Sequence, residues 1–292
     1  MTEIAVLKDG SVTSDPRLDR VPEHDARSRA WDVRALMAAP TILPPLRSFT
    51  WPNRFVTDQG REGACVGHGH MGRWANAPII PNREVGVTDD TVTSMAYQTY
   101  KHAQLVDEWP GTNYDGTSVL AGAKIMARDH LYTSYWWAFD IDSVLLAIAY
   151  VGPVVLGIPW LDSMFEPRPS GLLDCTGNVA GGHCIRARGV RLRAVLFGEG
   201  LRPIEVVRMT NSWSRSYGLN GDVFIRLDDL ERLLSDEGDA CVPVEPGQTR
   251  QRPEDPARIP QLIPVASQLD IGPHPDYPLI DSDTSPHPDM RP

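Results

Sequence analysis

Near residue 150 the hydrophobic pattern of this chain changes its period, and that change limits the possible folds more than any other feature. Upstream, apolar residues recur at helical spacing, as in Val119, Leu120, Ala123, Ile125 and Met126. The spacing predicts helices over 65–77, 91–105 and 117–129, and a short one near 30–38 carried by Trp31, Val33, Leu36 and Met37. Downstream come short β-rich runs, Val154–Ile158, Cys184–Val190, Glu205–Met209 and Asp222–Leu227, separated by turn residues. A mostly helical half followed by a mostly strand half predicts an α+β architecture with two segregated lobes. No internal repeat is visible.

At 292 residues the chain is long enough for one large or two modest domains. A net charge of −10 argues against a nucleic-acid surface as its main business. The longest apolar region, Val144–Pro159, is broken by Gly152 and Pro153 and falls short of the ~18–20 residues that span a bilayer. No membrane partner is expected. The stretch from Met1 to Arg17 lacks the basic start and apolar core of a secretory signal, so a cytoplasmic location is expected. Four cysteines are too sparse for a disulfide framework, and none has CxxC spacing for zinc. One cysteine that does chemistry, with three incidental ones, is the economical reading. The run Ile42–Leu46, with Pro44 and Pro45, reads as an extended entry to the globular part. Residues 246–292 hold 11 prolines and few aromatics, a composition that predicts a flexible or semi-extended tail serving as a tether or as a plain solvated terminus.

A cysteine works as a nucleophile only as its thiolate, which a helix N-terminus and a neighbouring imidazolium both favour. Cys65 follows Gly60-Arg61-Glu62-Gly63-Ala64 at the predicted start of a helix. Six residues upstream, Gln59 offers a side-chain amide that can join the Cys65 N–H in stabilising an oxyanion. His183 stands at the mouth of a β-run, after Gly181-Gly182. Asn211 follows another strand and can fix the tautomer of a histidine, with Trp213 two residues on as an apolar cover.

These residues, in this order, resemble the papain family of cysteine peptidases. The family pattern Q-G-x-C-G-S-C-W is met here by Gln59-Gly60-Arg61-Glu62-Gly63-Ala64-Cys65-Val66. The family's histidine and asparagine lie about 130–150 residues after the cysteine; here the steps are 118 and 146 residues. Gly152-Pro153-Val154-Val155 resembles the start of a family strand, and Ser170-Gly171-Leu172-Leu173-Asp174 resembles its S-G-I-Y-D turn. Asn211-Ser212-Trp213-Ser214 through Tyr217-Gly218-Leu219-Asn220-Gly221-Asp222 resembles N-S-W-G-x-x-W-G-x-x-G-Y.

The resemblance implies a papain-like two-lobe fold over 43–245: a helical lobe over about 43–135, a β-barrel-like antiparallel lobe over about 136–245, and an active-site cleft between them. Residues 1–42 are then an N-terminal extension, and they show no recognisable inhibitory propeptide of the usual kind. The resemblance further implies a catalytic set of Cys65, His183, Asn211 and Gln59, supported by Trp213. The substrate backbone is expected at Gly116, Thr117 and Gly182, within and beyond the stretch Asp115-Gly116-Thr117-Ser118; an ordinary turn leading to a helix cap explains the same stretch. A peptide or protein substrate is implied, and no metal or organic cofactor.

Glu62 replaces a cysteine that pairs in secreted members, which fits a reducing compartment. Val66 and Tyr217 replace tryptophans, as in divergent bacterial or phage members. Two other functions use the same scaffold: a catalytically silent binding or virion-structural module attached through its tail, or an amidase or acyl transferase. Gly67-His68-Gly69-His70-Met71-Gly72 matches the dinucleotide pattern G-x-G-x-x-G, but it follows no strand. On a helix His68 and His70 point about 200° apart, which argues against shared metal ligation with Cys65. Trp136-Trp137 reads as core.

Overall fold

The computed structural model describes residues 4–36, 46, 48–78, 87–111 and 113–248. Two short strands open the chain, β1 (Ala5–Val6) and β2 (Val12–Thr13). A 3₁₀ turn at Ala26–Trp31 and the single-turn α1 (Val33–Leu36) follow where one short helix is predicted. After β3 (Phe49–Thr50) come the predicted helices α2 (Cys65–Asn76), α3 (Asp89–Ala103) and α4 (Val119–Arg128). Their starts follow local chemistry. Thr88 and Thr91 form a reciprocal cap on α3, and Ser118 Oγ accepts from the Ala121 N–H of α4. Then β4 (Ser134–Trp137) and α5 (Ile141–Tyr150, capped by Asp140) lead into the strand-rich half.

That half comprises β5 (Val154–Leu161), β6 (Val179–Ala194), β7 (Ile204–Thr210), β8 (Asp222–Arg226), α6 (Leu227–Ser235) and β9 (Asp239–Val244). The sheet order is β4-β9-β5-β6-β7-β8, antiparallel at each pairing, with β3 added to β6. Among the described residues this sheet is open, so the barrel-like lobe expected from sequence is a bent sheet. Its bends fall at register shifts in β5 and β6. Every residue of β5 is buried, in keeping with its apolar sequence Val154-Val155-Leu156-Gly157-Ile158-Pro159-Trp160-Leu161.

Two of the four apolar clusters among the described residues carry most of the packing. The larger joins the sheet to α5 and α6 and includes Trp136, which packs edge-on against Trp31 at 5.1 Å. A second, formed by Phe55, Met71, Ala75, Val92, Ala96, Met126 and Tyr132, ties α2, α3 and α4 together. The glycines inside α2 allow close packing on two sides: a Cβ at Gly67 would overlap the Ala96 carbonyl of α3, and one at Gly69 would overlap Cys184 Sγ of β6. The described chain continues past β9 to Gln248, whose side-chain amide donates to the Val151 carbonyl at 2.7 Å. Of the proline-rich tail, 249–292 lies outside the described residues, as do 37–45 of the predicted first helix and entry segment. No described helix is long and apolar enough to cross a membrane.

Candidate active site

Cys65 is the first residue of α2, preceded by Ala64, which supplies no side-chain cap. The helix runs into the sheet, so the Cys184 N–H of β6 donates to Cys65 Sγ at 3.3 Å. One residue earlier on β6, His183 lies opposite Ile158 of β5. Asn211 directly follows β7, the antiparallel neighbour of β6, so strand pairing carries both residues to the same end of the sheet.

The His183–Asn211 contact fixes a tautomer. Asn211 Oδ1 accepts the Ser212 backbone N–H at 2.7 Å, which identifies that atom as the oxygen. The same oxygen is 2.7 Å from His183 Nε2, so Nε2 carries a proton and Nδ1 is the basic atom. Nδ1 is buried without a hydrogen-bond partner. Trp160 and Trp213 enclose the ring, with centroids at 4.7 and 4.9 Å. Burial holds His183 down at about 4, although Asn211 and the Arg17 backbone favour its cation.

Gln59 is fully buried and its amide is oriented by two donors. Ser212 Oγ and Trp213 Nε1 donate to Oε1 at 2.7 and 3.2 Å, leaving Nε2 to donate to the Glu62 and Arg17 carbonyls at 2.8 and 3.2 Å. Gln59, Cys65, His183, Asn211 and Trp213 thus form one cluster. Thr117 and Gly182 are instead bonded to residues 19–21, and Gly116, which precedes Thr117, has φ +99°.

The sequence does not announce what fills this cleft. The N-terminal extension runs through it, clasped beforehand by the buried Lys8–Asp107 ion pair at 2.8 Å. Thr13 Oγ1 donates to the Ala180 carbonyl at 3.1 Å. The Arg20 N–H donates to Gly182 O at 3.1 Å, the Val21 N–H to Thr117 O at 3.0 Å, and the Thr117 N–H to Asp19 O at 3.3 Å. Arg20 and Thr117 form a parallel bridge. A Cβ at Gly182 would overlap the Arg20 carbonyl, so the close approach depends on glycine there.

Three side chains of this segment answer the site. Arg17 lies over Trp213 at 4.1 Å from the ring centroid. Cys65 Sγ donates to Asp19 Oδ1 at 2.9 Å. Arg20, 2% exposed, pairs with Asp239 of β9 at 2.8 Å. Burial, then the Asp19 charge, pushes the Cys65 thiol well above its usual value. Burial raises Asp19 to about 8, against the Cys65 hydrogen bond and with help from Asp115. Burial thus opposes ionisation of both groups. The thiol's hydrogen bonds go to Asp19 and Cys184, and none goes to His183.

The alternative sites have structural explanations. His70 is fixed between Val119 O and the Tyr132 hydroxyl at 2.9 and 3.2 Å. Among the described residues no group of three or more His, Cys, Asp or Glu is arranged to hold a metal.

No protein-family model and no curated protein matches the sequence. Solved structures do resemble it. Xylellain, a cysteine protease from Xylella fastidiosa, is 17% identical with a TM-score of 0.53, over 80% of this chain and 97% of its own. Procathepsin L2 proteinase from Tenebrio molitor is 16% identical with a TM-score of 0.54, over 78% of this chain and 79% of its own. The Amb a 11 cysteine protease of ragweed pollen, in its proform, is 14% identical with a TM-score of 0.51, over 87% of this chain and 72% of its own. Across most of its length, the chain has the papain-like two-lobe α+β fold of these proteins.

Proposed function

We propose that this chain is a cysteine peptidase whose domain spans 43–245, held closed by its N-terminal extension. The supporting observation is that the cleft already holds a peptide: residues 15–21 cross Cys65 with backbone groups bonded to Gln59, Thr117 and Gly182. In the open enzyme His183 Nδ1 takes the Cys65 proton, and the thiolate attacks a substrate carbonyl. The Cys65 N–H and Gln59 Nε2 stabilise the oxyanion, as Gln59 now binds the Arg17 carbonyl. Asn211 and Trp213 hold the imidazole in its tautomer. His183 protonates the leaving amine, and water then hydrolyses the acyl-enzyme. The substrate is a peptide or protein, and neither metal nor organic cofactor enters these steps. Its four free, buried cysteines suit a reducing, cytoplasmic setting.

One observation favours a rival. Asp19 shields Cys65 and keeps it neutral, as a catalytically silent binding or virion-structural module would tolerate. An amidase or acyl transferase would use the same residues on another acceptor. Labelling with an epoxide-type cysteine-peptidase inhibitor separates these readings. Mass spectrometry should find the adduct on Cys65, slowly in the full chain and faster in full-length Arg20→Ala. No adduct in either protein makes the silent module the better reading.

A further inference from the structure

The end of the Arg20 side chain sits in a pocket built for it. Its guanidinium donates to Asp239 Oδ2 at 2.8 Å and to the Glu237 carbonyl at 2.7 Å. Gly157 forms the wall: a Cβ there would overlap both Asp239 Oδ1 and Arg20 Nε. Asp239 Oδ1 is buried and accepts no hydrogen bond, so the carboxylate has more acceptor capacity than Arg20 uses. Asp239 also borders a cavity of about 620 Å³ shared with Trp137 and Glu237. The entrance is the Gly182 carbonyl, next to His183, and the residue preceding Arg20 places its carboxyl on Cys65 Sγ.

We infer that Asp239, Gly157 and Gly182 form a specificity pocket that selects peptide substrates carrying an arginine within about two residues of the bond cut, with Arg20 its internal occupant. The inference rests on the peptidase reading. A planar guanidinium can engage both oxygens of Asp239 through paired N–H donors, which a lysine ammonium cannot match, and leucine would leave the carboxylate unpaired. Glutamate would set two anions together. The ordering is therefore arginine, lysine, leucine, glutamate.

The test uses the full chain with Arg20→Ala, which vacates the pocket. Internally quenched peptides carry one arginine moved position by position through a fixed sequence, with lysine, leucine and glutamate counterparts. At one position arginine should exceed leucine in kcat/KM on the order of 10- to 100-fold, as a buried charged hydrogen bond gives. Adding Asp239→Asn should cut that ratio at least to about one-tenth, and Gly157→Ala, which keeps the carboxylate but narrows the pocket, should lower it too. Ratios within one protein sample do not depend on how much of a variant folds. Cleavage with no position favouring arginine, or a preference that survives both variants, overturns the pocket and leaves the peptidase reading standing. No cleavage together with no epoxide adduct on Cys65 removes the peptidase reading itself, and the pocket with it.

Discussion

Two stretches of backbone reach Cys65, and they are held in different ways. β6 brings His183 and Cys184 from within the sheet, paired to β5 on one side and β7 on the other, among buried Val, Ile and Trp side chains. Residues 15–21 bring Arg17, Asp19 and Arg20 over the site from outside the sheet. A few backbone hydrogen bonds, the stacking of Arg17 on Phe165 and Trp213, the buried Leu18, the Cys65–Asp19 bond and the Arg20–Asp239 pair hold them there. The first stretch cannot leave without unfolding the core. The second belongs to no strand of the sheet, although Leu18 packs into the main apolar cluster and Val21 is buried, so its release costs that packing but leaves the strand pairing in place. A permanent wall and a removable occupant should answer substitution differently.

The largest effects belong to the wall, measured in an Arg20→Ala background that opens the cleft. Cys65→Ala should abolish hydrolysis, and His183→Ala should come close to it, since the two act as a unit. Unchanged cleavage in purified Cys65→Ala would end the catalytic assignment. Gln59→Ala should lower kcat on the order of 10²- to 10³-fold with little change in KM. It should also lower the melting temperature, because Ser212 and Trp213 lose a shared acceptor. Asn211→Ala should be milder in rate than His183→Ala.

The occupant's substitutions act in the opposite direction. Removing one partner of a buried ion pair costs about 3–5 kcal/mol. Arg20→Ala should therefore weaken docking enough to speed Cys65 labelling at least about 10-fold, and hydrogen exchange should report the loss of protection confined to residues 15–21. Exchange that rises equally in β6 would show that wall and occupant unfold together.

A smaller effect is a pH dependence. Docked Asp19 keeps its proton to about 8, whereas an undocked carboxyl loses it near 3.8. Docking is therefore tightest below about pH 4 on this account and weakens as pH climbs to 8. The His183 ring stays enclosed by Trp160 and Trp213 of the wall, so its low value does not belong to docking. Between 6.5 and 8 the Asp19 proton is the one that docking holds. Exchange at residues 15–21, corrected for its intrinsic pH dependence, should rise over that window and be flatter in Asp19→Asn. The smallest effect is expected from deleting 249–292, whose composition has little to bury. The melting temperature should stay within about 2 °C, whereas a cut before Gln248 removes its bond to Val151.

What the sequence made legible follows the same division. The place of Cys65 at the start of a helix, and of His183 and Asn211 at neighbouring strands, could be read from the turn and strand signals around them. The helices and strands were legible from period, to within a few residues. Asp19, Arg20 and Asp239 were not. Asp-Arg beside prolines and other charges looks like a solvated terminus, and only the tertiary path shows that these charges are buried against a thiol and a carboxylate. Gly157 was equally silent, since a glycine inside a β-run has no signature until the guanidinium beside it is seen. The openness of the sheet depended on register shifts that residue types alone do not specify.

The covalent attachment of residues 15–21 to the fold they occupy has a kinetic consequence. A tethered ligand meets its site at an effective concentration in the millimolar range. In the proposed peptidase a free substrate at micromolar levels would face a rival about a thousand times more abundant, one already bonded to Thr117, Gly182 and Gln59. Raising substrate is therefore an inefficient way to start turnover. Cutting or displacing the tether upstream of Asp15, or downstream of Val21, lowers the rival's concentration at once, so throughput is governed by the integrity of one connecting peptide.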